Sequence, residues 1–176
     1  MARARLPLAG ANLAYVGPLL FAMRIRKGPE GLVTDQWGVM TRAQLRAHGF
    51  SDTAIARQLD AGALHRLYRG VFAVAPAAVL RPEGRWLGAV LACGEGAALS
   101  HRSAAVCWAL LEERWAFVDV TTSARGRKGS EGVRLHRTRR LDASDVVVVR
   151  RIPVTSVERT LMDLADVVPL PLLRRA

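Results

Sequence analysis

The sequence predicts an α+β protein, an N-terminal winged helix-turn-helix followed by a small mixed α/β domain. Three observations carry this. Two short helical patterns are joined by a tight "HGFS" turn at residues 48–51. Directly after them, "ALHRLYRGVFAVA" is rich in strand formers around Arg69-Gly70 and reads as a β-hairpin. Beyond the linker "APAAVLRP", helical and strand patterns are mixed without an internal repeat. With 176 residues, 51% hydrophobic and 23% charged, the chain can bury a core and is not of disordered composition.

Taken in order, residues 1–27 have a basic start and an apolar run from Leu6 to Met23. That run imitates a signal peptide, but Gly10, Asn12, Gly17 and Pro18 interrupt it and basic residues follow at once. It is marginal for a membrane span. The expectation is a disordered extension on a cytoplasmic protein. From Pro29, the residues Leu32, Val33, Gln36 and Trp37 recur at helical spacing and predict a short first helix. Thr41 and Gln44 form a T-x-x-Q capping box that starts a helix at Arg42, and Gly49 supplies its stop. Ser51 caps the next helix, with Asp52 in its first turn and Ile55 and Leu59 one turn apart on its inner face. The winged unit is expected over residues 28–76.

The α/β domain is expected over residues 81–176. Pro82 opens a helix that Gly94 closes, with Trp86, Leu87, Val90 and Leu91 on one side. Ser100 is expected to cap a helix over "HRSAAVCWALL". Three strand candidates follow, "WAFVDVTT", "GVRLHRT" and "DVVVVRR". In the last helix, Thr155 and Glu158 suggest a capping box, and Val157, Leu161, Leu164 and Val168 suggest the buried side.

The formal net charge of +11 points to a polyanionic partner, because Lys and Arg that neutralise phosphates release condensed counterions. Five basic residues and no acid lie in the first 27 positions, so the rest carries 21 basic against 15 acidic residues, a net of +6. Placement must therefore decide. Taking Ile55 and Leu59 as the inward direction, a step of about 100° per residue puts Thr53, Arg57 and Asp60 on the opposite face, flanked by Ala54 and Gln58. Arg57 suits a bidentate contact to guanine and Gln58 one to adenine, while Ala54 or the methyl of Thr53 suits a thymine methyl. Arg42 at a helix start, Arg66 and Arg69 on the wing, and His65 suit the phosphate backbone.

Other chemistries fare poorly. Ser100, His101 and Ser103 are neighbours at a helix start, which does not make a triad, and no G-x-S-x-G elbow occurs. The His and Cys spacings match no zinc template, and Cys93 and Cys107, with no CxxC partner, read as reduced buried thiols. Gly-rich phosphate loops are absent from the sequence, no E-x-K or D-x-K occurs and the acids are scattered, so no cofactor and no enzymatic activity are expected. The basic runs "RGRK" and "HRTRR" could meet phosphate or simply be solvated.

"GVMTRAQLRAHGFSDTAIARQLDAGALHRLYRGVFAV", "GRWLGAVLACGEGAALSHRSAAVCWAL" and "IPVTSVERTLMDLA", in this order, resemble the AbiEi-type antitoxins of type IV toxin–antitoxin systems. The resemblance covers about residues 30–168. It implies a double-stranded-DNA-binding regulator that represses its own operon and counteracts a nucleotidyltransferase-like toxin without a stable complex. Many relatives continue beyond the position of "PLPLLRRA" into a C-terminal domain resembling endonucleases, and the activity of such a domain is not expected here. A single winged module reads few base pairs, so a homodimer or a second basic surface is expected to complete specificity. The competing reading is a protein-interaction module that neutralises a partner toxin without reading DNA.

Overall fold

A computed structural model describes residues 35–112, 116–124 and 129–174. The expected extension at 1–27 and nearly all of the expected first helix lie outside these residues. Where the chain enters, Gln36–Gly38 form a turn, with Trp37 at φ +55° and Gly38 at φ +81°, and the backbone then runs straight into a strand.

The N-terminal unit comprises β1 (Val39–Thr41), α1 (Arg42–Ala47), α2 (Asp52–Asp60), β2 (His65–Tyr68) and β3 (Val71–Ala73). Its three strands form an antiparallel sheet in the order β1-β3-β2. Strand β1 leaves no trace in the sequence pattern, because three residues between a turn and a capping signal are too few to show a period. Met40, Leu45, Ile55, Leu64, Phe72 and Val74 make a core of their own between this sheet and the two helices.

The rest of the chain comprises α3 (Pro82–Cys93), β4 (Ala98–Leu99), α4 (His101–Cys107), β5 (Val118–Thr122), β6 (Val133–Arg137), β7 (Val146–Val149), β8 (Ile152–Thr155), α5 (Val157–Ala165) and α6 (Leu170–Leu173). Its five-stranded mixed sheet runs β6-β5-β4-β8-β7. The β4–β8 and β5–β6 pairs are parallel and the β4–β5 and β7–β8 pairs antiparallel. The fold is therefore α+β.

The two sheets share a core. Val39, Val71 and Ala73 from the first pack with Trp86 and Val90 of α3 and with Val118, Val120, Ile152 and Val154 of the second. Helix α3 lies between them at close range, and the absence of side chains at two positions permits it. A Cβ at Gly84 would lie 2.7 Å from the Trp37 carbonyl oxygen, and one at Gly88 would lie 2.7 Å from the Leu67 side chain. The Trp37 indole also donates to the Arg150 carbonyl at 2.8 Å, tying the entry turn to the β7–β8 hairpin.

Three local expectations are corrected. The last helix is capped by Ser156, whose hydroxyl accepts from the Arg159 amide at 3.2 Å. Thr155 instead ends strand β8, buried and hydrogen-bonded to Thr160 at 2.7 Å. The face that α5 buries is Thr160, Asp163 and Leu164, leaving Leu161 exposed. Finally, α4 stops at Cys107, with Ala109 at φ +60°, and the Ser100 hydroxyl engages Thr121 and His101 instead of capping the helix.

Candidate nucleic-acid interface

The geometry of α1 and α2 follows from their ends. Thr41 Oγ1 accepts from the Gln44 amide at 3.1 Å while Gln44 Oε1 accepts from the Thr41 amide at 2.8 Å, closing the expected capping box. Gly49, at φ +86°, makes the left-handed stop, and Ser51 Oγ accepts from the Ala54 amide at 3.1 Å to start α2. Ile55, 2% exposed, and half-buried Leu59 hold α2 against the core. That fixes which face is turned outward.

Thr53 and Arg57 are exposed and one helical turn apart, with exposed Ala56 beside them. Sequence reasoning does not single out Ala56, although the period that places Arg57 outward allows it as well. Ala54 is half-buried. Gln58 is half-buried too, with its amide oxygen enclosed and without a hydrogen-bond partner, so Arg57 is the more open of the two candidate base readers.

Two arginines of α1, one at its start and one in its last turn, meet the first residue of α2. Arg42 Nη1 donates to Asp52 Oδ1 at 3.0 Å and its guanidinium lies 5.7 Å from the centroid of the Phe72 ring. Arg46 also pairs with Asp52, and this hydrogen bond holds the Asp52 carboxyl below the usual carboxylate range. The clamp joins the two helices across the turn and neutralises Asp52 in the first turn of α2, while Asp60 stays exposed at the helix end.

On the hairpin, Arg66 is exposed opposite Phe72, and half-buried His65 sits opposite Ala73. Arg69 is exposed at the turn, where Gly70 adopts φ +74°. The turn is held from both sides. The Arg42 amide donates to the Gly70 carbonyl at 2.8 Å, and the Arg69 amide donates to Ser130 Oγ at 3.2 Å. The structure thus places Thr53 and Arg57 together on α2, and Arg66 and Arg69 together on the hairpin.

A second polar cluster lies between α4, α5, β5 and β6, where the sequence shows only a helix start. The His101 and His136 imidazoles stack at 3.6 Å, His136 Nε2 lies 2.8 Å from Asp119 Oδ1, and His101 Nδ1 lies 3.0 Å from Ser100 Oγ. His101 holds φ +49°, an uncommon conformation for a residue with a side chain. Burial, and then the neighbouring His136, push its pKa down to about 4. Sequence reasoning could not bring these residues together, because β5 and β6 lie far from α4 along the chain. Among the described residues, no group of three His, Cys, Asp or Glu could hold a metal ion. Nor is any described helix long and apolar enough to cross a membrane.

Two capped helices joined by a tight turn, one of them presenting an arginine outward, and a hairpin with two exposed arginines define a helix–turn–helix–hairpin unit with a cationic surface. Residues 32–75, a stretch that takes in this unit, match the model of the family described as "Transcriptional regulator, AbiEi antitoxin", so the N-terminal unit is similar to AbiEi antitoxins. No curated protein matches the chain. Among solved structures, the RV2827C protein from Mycobacterium tuberculosis is similar in fold, with a TM-score of 0.50 and 18% identity over 93% of this chain. The match spans 62% of the length of that protein.

Proposed function

We propose that this chain is an antitoxin-like transcriptional regulator whose N-terminal unit, residues 28–76, works as a winged helix-turn-helix on double-stranded DNA. The α/β part, residues 81–176, packs against it as a second domain. In this reading α2 enters the major groove, Thr53, Ala54, Arg57 and Gln58 meet base edges, and Arg42, His65, Arg66 and Arg69 follow the phosphate backbone. The protein acts in the cytoplasm, without cofactor or enzymatic activity. It represses its own operon and works opposite a nucleotidyltransferase-like toxin of a type IV system.

The observation that carries the reading is the exposure of Arg57 on a helix whose opposite side is sealed by Ile55. The family match at residues 32–75 supports the regulatory role. A mobility shift on the DNA upstream of the gene, run across a salt series with nonspecific competitor, tests it. Specific binding that weakens with salt is the expected result. No shift at low salt would replace it with the protein-interaction reading.

A further inference from the structure

The hairpin turn, though exposed, is tied to the larger part of the chain. Through the Arg69 amide it is hydrogen-bonded to Ser130, and Gly132 lies against the Tyr68 ring, its Cβ direction 3.7 Å from the ring edge. Strand β6 begins at the next residue, and it is an edge of the larger sheet. This edge is charged. Residues 129–140 hold four arginines against the single acid Glu131, and Arg134, Arg137 and Arg139 are exposed. Arg134 is spread over the exposed Phe117 ring, 5.2 Å from its centroid, next to the start of the strand. The opposite edge, β7, consists of four valines.

We propose that β6 and the residues after it form a second contact surface for double-stranded DNA, continuous with the hairpin, that grips the phosphate backbone beside the site read by α2. Resting on the DNA-binding reading above, this surface supplies affinity and register and no base discrimination, because guanidinium groups on a strand edge meet phosphate oxygens and not base edges. It also accounts for the "HRTRR" run, which the helix–turn–helix unit leaves without a role. The hairpin's tie to the segment that leads into β6 makes such a long footprint possible without a second copy of the chain.

The test compares the full chain with its Arg134→Ala/Arg139→Ala variant on two synthetic duplexes, one from upstream of the gene and one of random sequence. Binding is measured by fluorescence anisotropy between about 50 and 200 mM salt. The variant is expected to melt at the wild-type temperature and to bind both duplexes more weakly by a similar factor, roughly tenfold or more near 150 mM salt. Its plot of log K against log salt should be shallower by about 1–2, at about 0.9 for each phosphate no longer neutralised. An unchanged slope with wild-type binding intact overturns this proposal alone and leaves the edge for a protein partner. A wild-type chain that binds neither duplex overturns the DNA-binding reading itself.

Discussion

Arg57 and Ile55 divide the work of α2 between recognition and packing, and single substitutions should separate the two. Arg57→Ala removes an exposed side chain, so the melting temperature should stay within a degree or so while binding to the specific duplex falls. A good bidentate base contact is worth about 1–3 kcal/mol, which is roughly five- to 150-fold in affinity. Ile55→Ala empties a fully buried site and should destabilise the fold by about 2–5 kcal/mol, read by denaturant unfolding. A loss below about 1 kcal/mol would mean that α2 is not anchored as described. These roles are legible in the sequence because a period of 3.6 needs only Ile55 and Leu59 to fix the helix's orientation. The state of Gln58 is not legible, since its enclosure depends on the chain that follows α2. The backbone carbonyl of Gln58 accepts from Ala63 and Leu64, folding that segment over it.

The capping signals at Thr41, Ser51 and Pro82 and the hairpin at Arg69-Gly70 mark elements with correct starts, because each is a local hydrogen-bonding or backbone requirement. Strands β1, β4 and β8 are illegible for the opposite reason. They are two to four residues long, too short to show a period, and β1 and β4 pair with strands distant in the chain, such as Leu99 beside Val154. Strand β8 also displaces the predicted cap from Thr155 to Ser156. Helix α3 is half legible. Its apolar stripe shows in the sequence, but the reason for Gly84 and Gly88 does not: backbone and side chains of the N-terminal unit approach there. Gly84→Ala should raise helix propensity by about 1 kcal/mol and still destabilise the protein by about 1–3 kcal/mol, since the added methyl meets a backbone oxygen. Thermal melting of this variant checks it, and a stabilised protein would show that α3 does not pack so closely.

At the scale of the molecule, buried His101, stacked on half-buried His136, links the fold's stability to pH. With a folded pKa near 4 and an unfolded value near 6.5, His101 binds its proton more readily when the chain unfolds. The unfolded state therefore holds more protons between these values. The stabilisation is complete above about pH 6.5 and is lost as pH falls toward 4, at up to roughly 1.4 kcal/mol per pH unit. Urea unfolding at pH 7 and pH 4.5 should show this loss, and His101→Asn, a residue that tolerates the positive φ, should reduce it. Equal pH dependence in both proteins would show that His101 is not its source. Whether α2 reads DNA is decided by the ratio of affinities for the upstream and random duplexes, measured at one salt concentration for wild type and Arg57→Ala. We expect a clear preference in the wild type that collapses in the variant; an undiminished preference in the variant, or none in the wild type, would refute the reading role of α2.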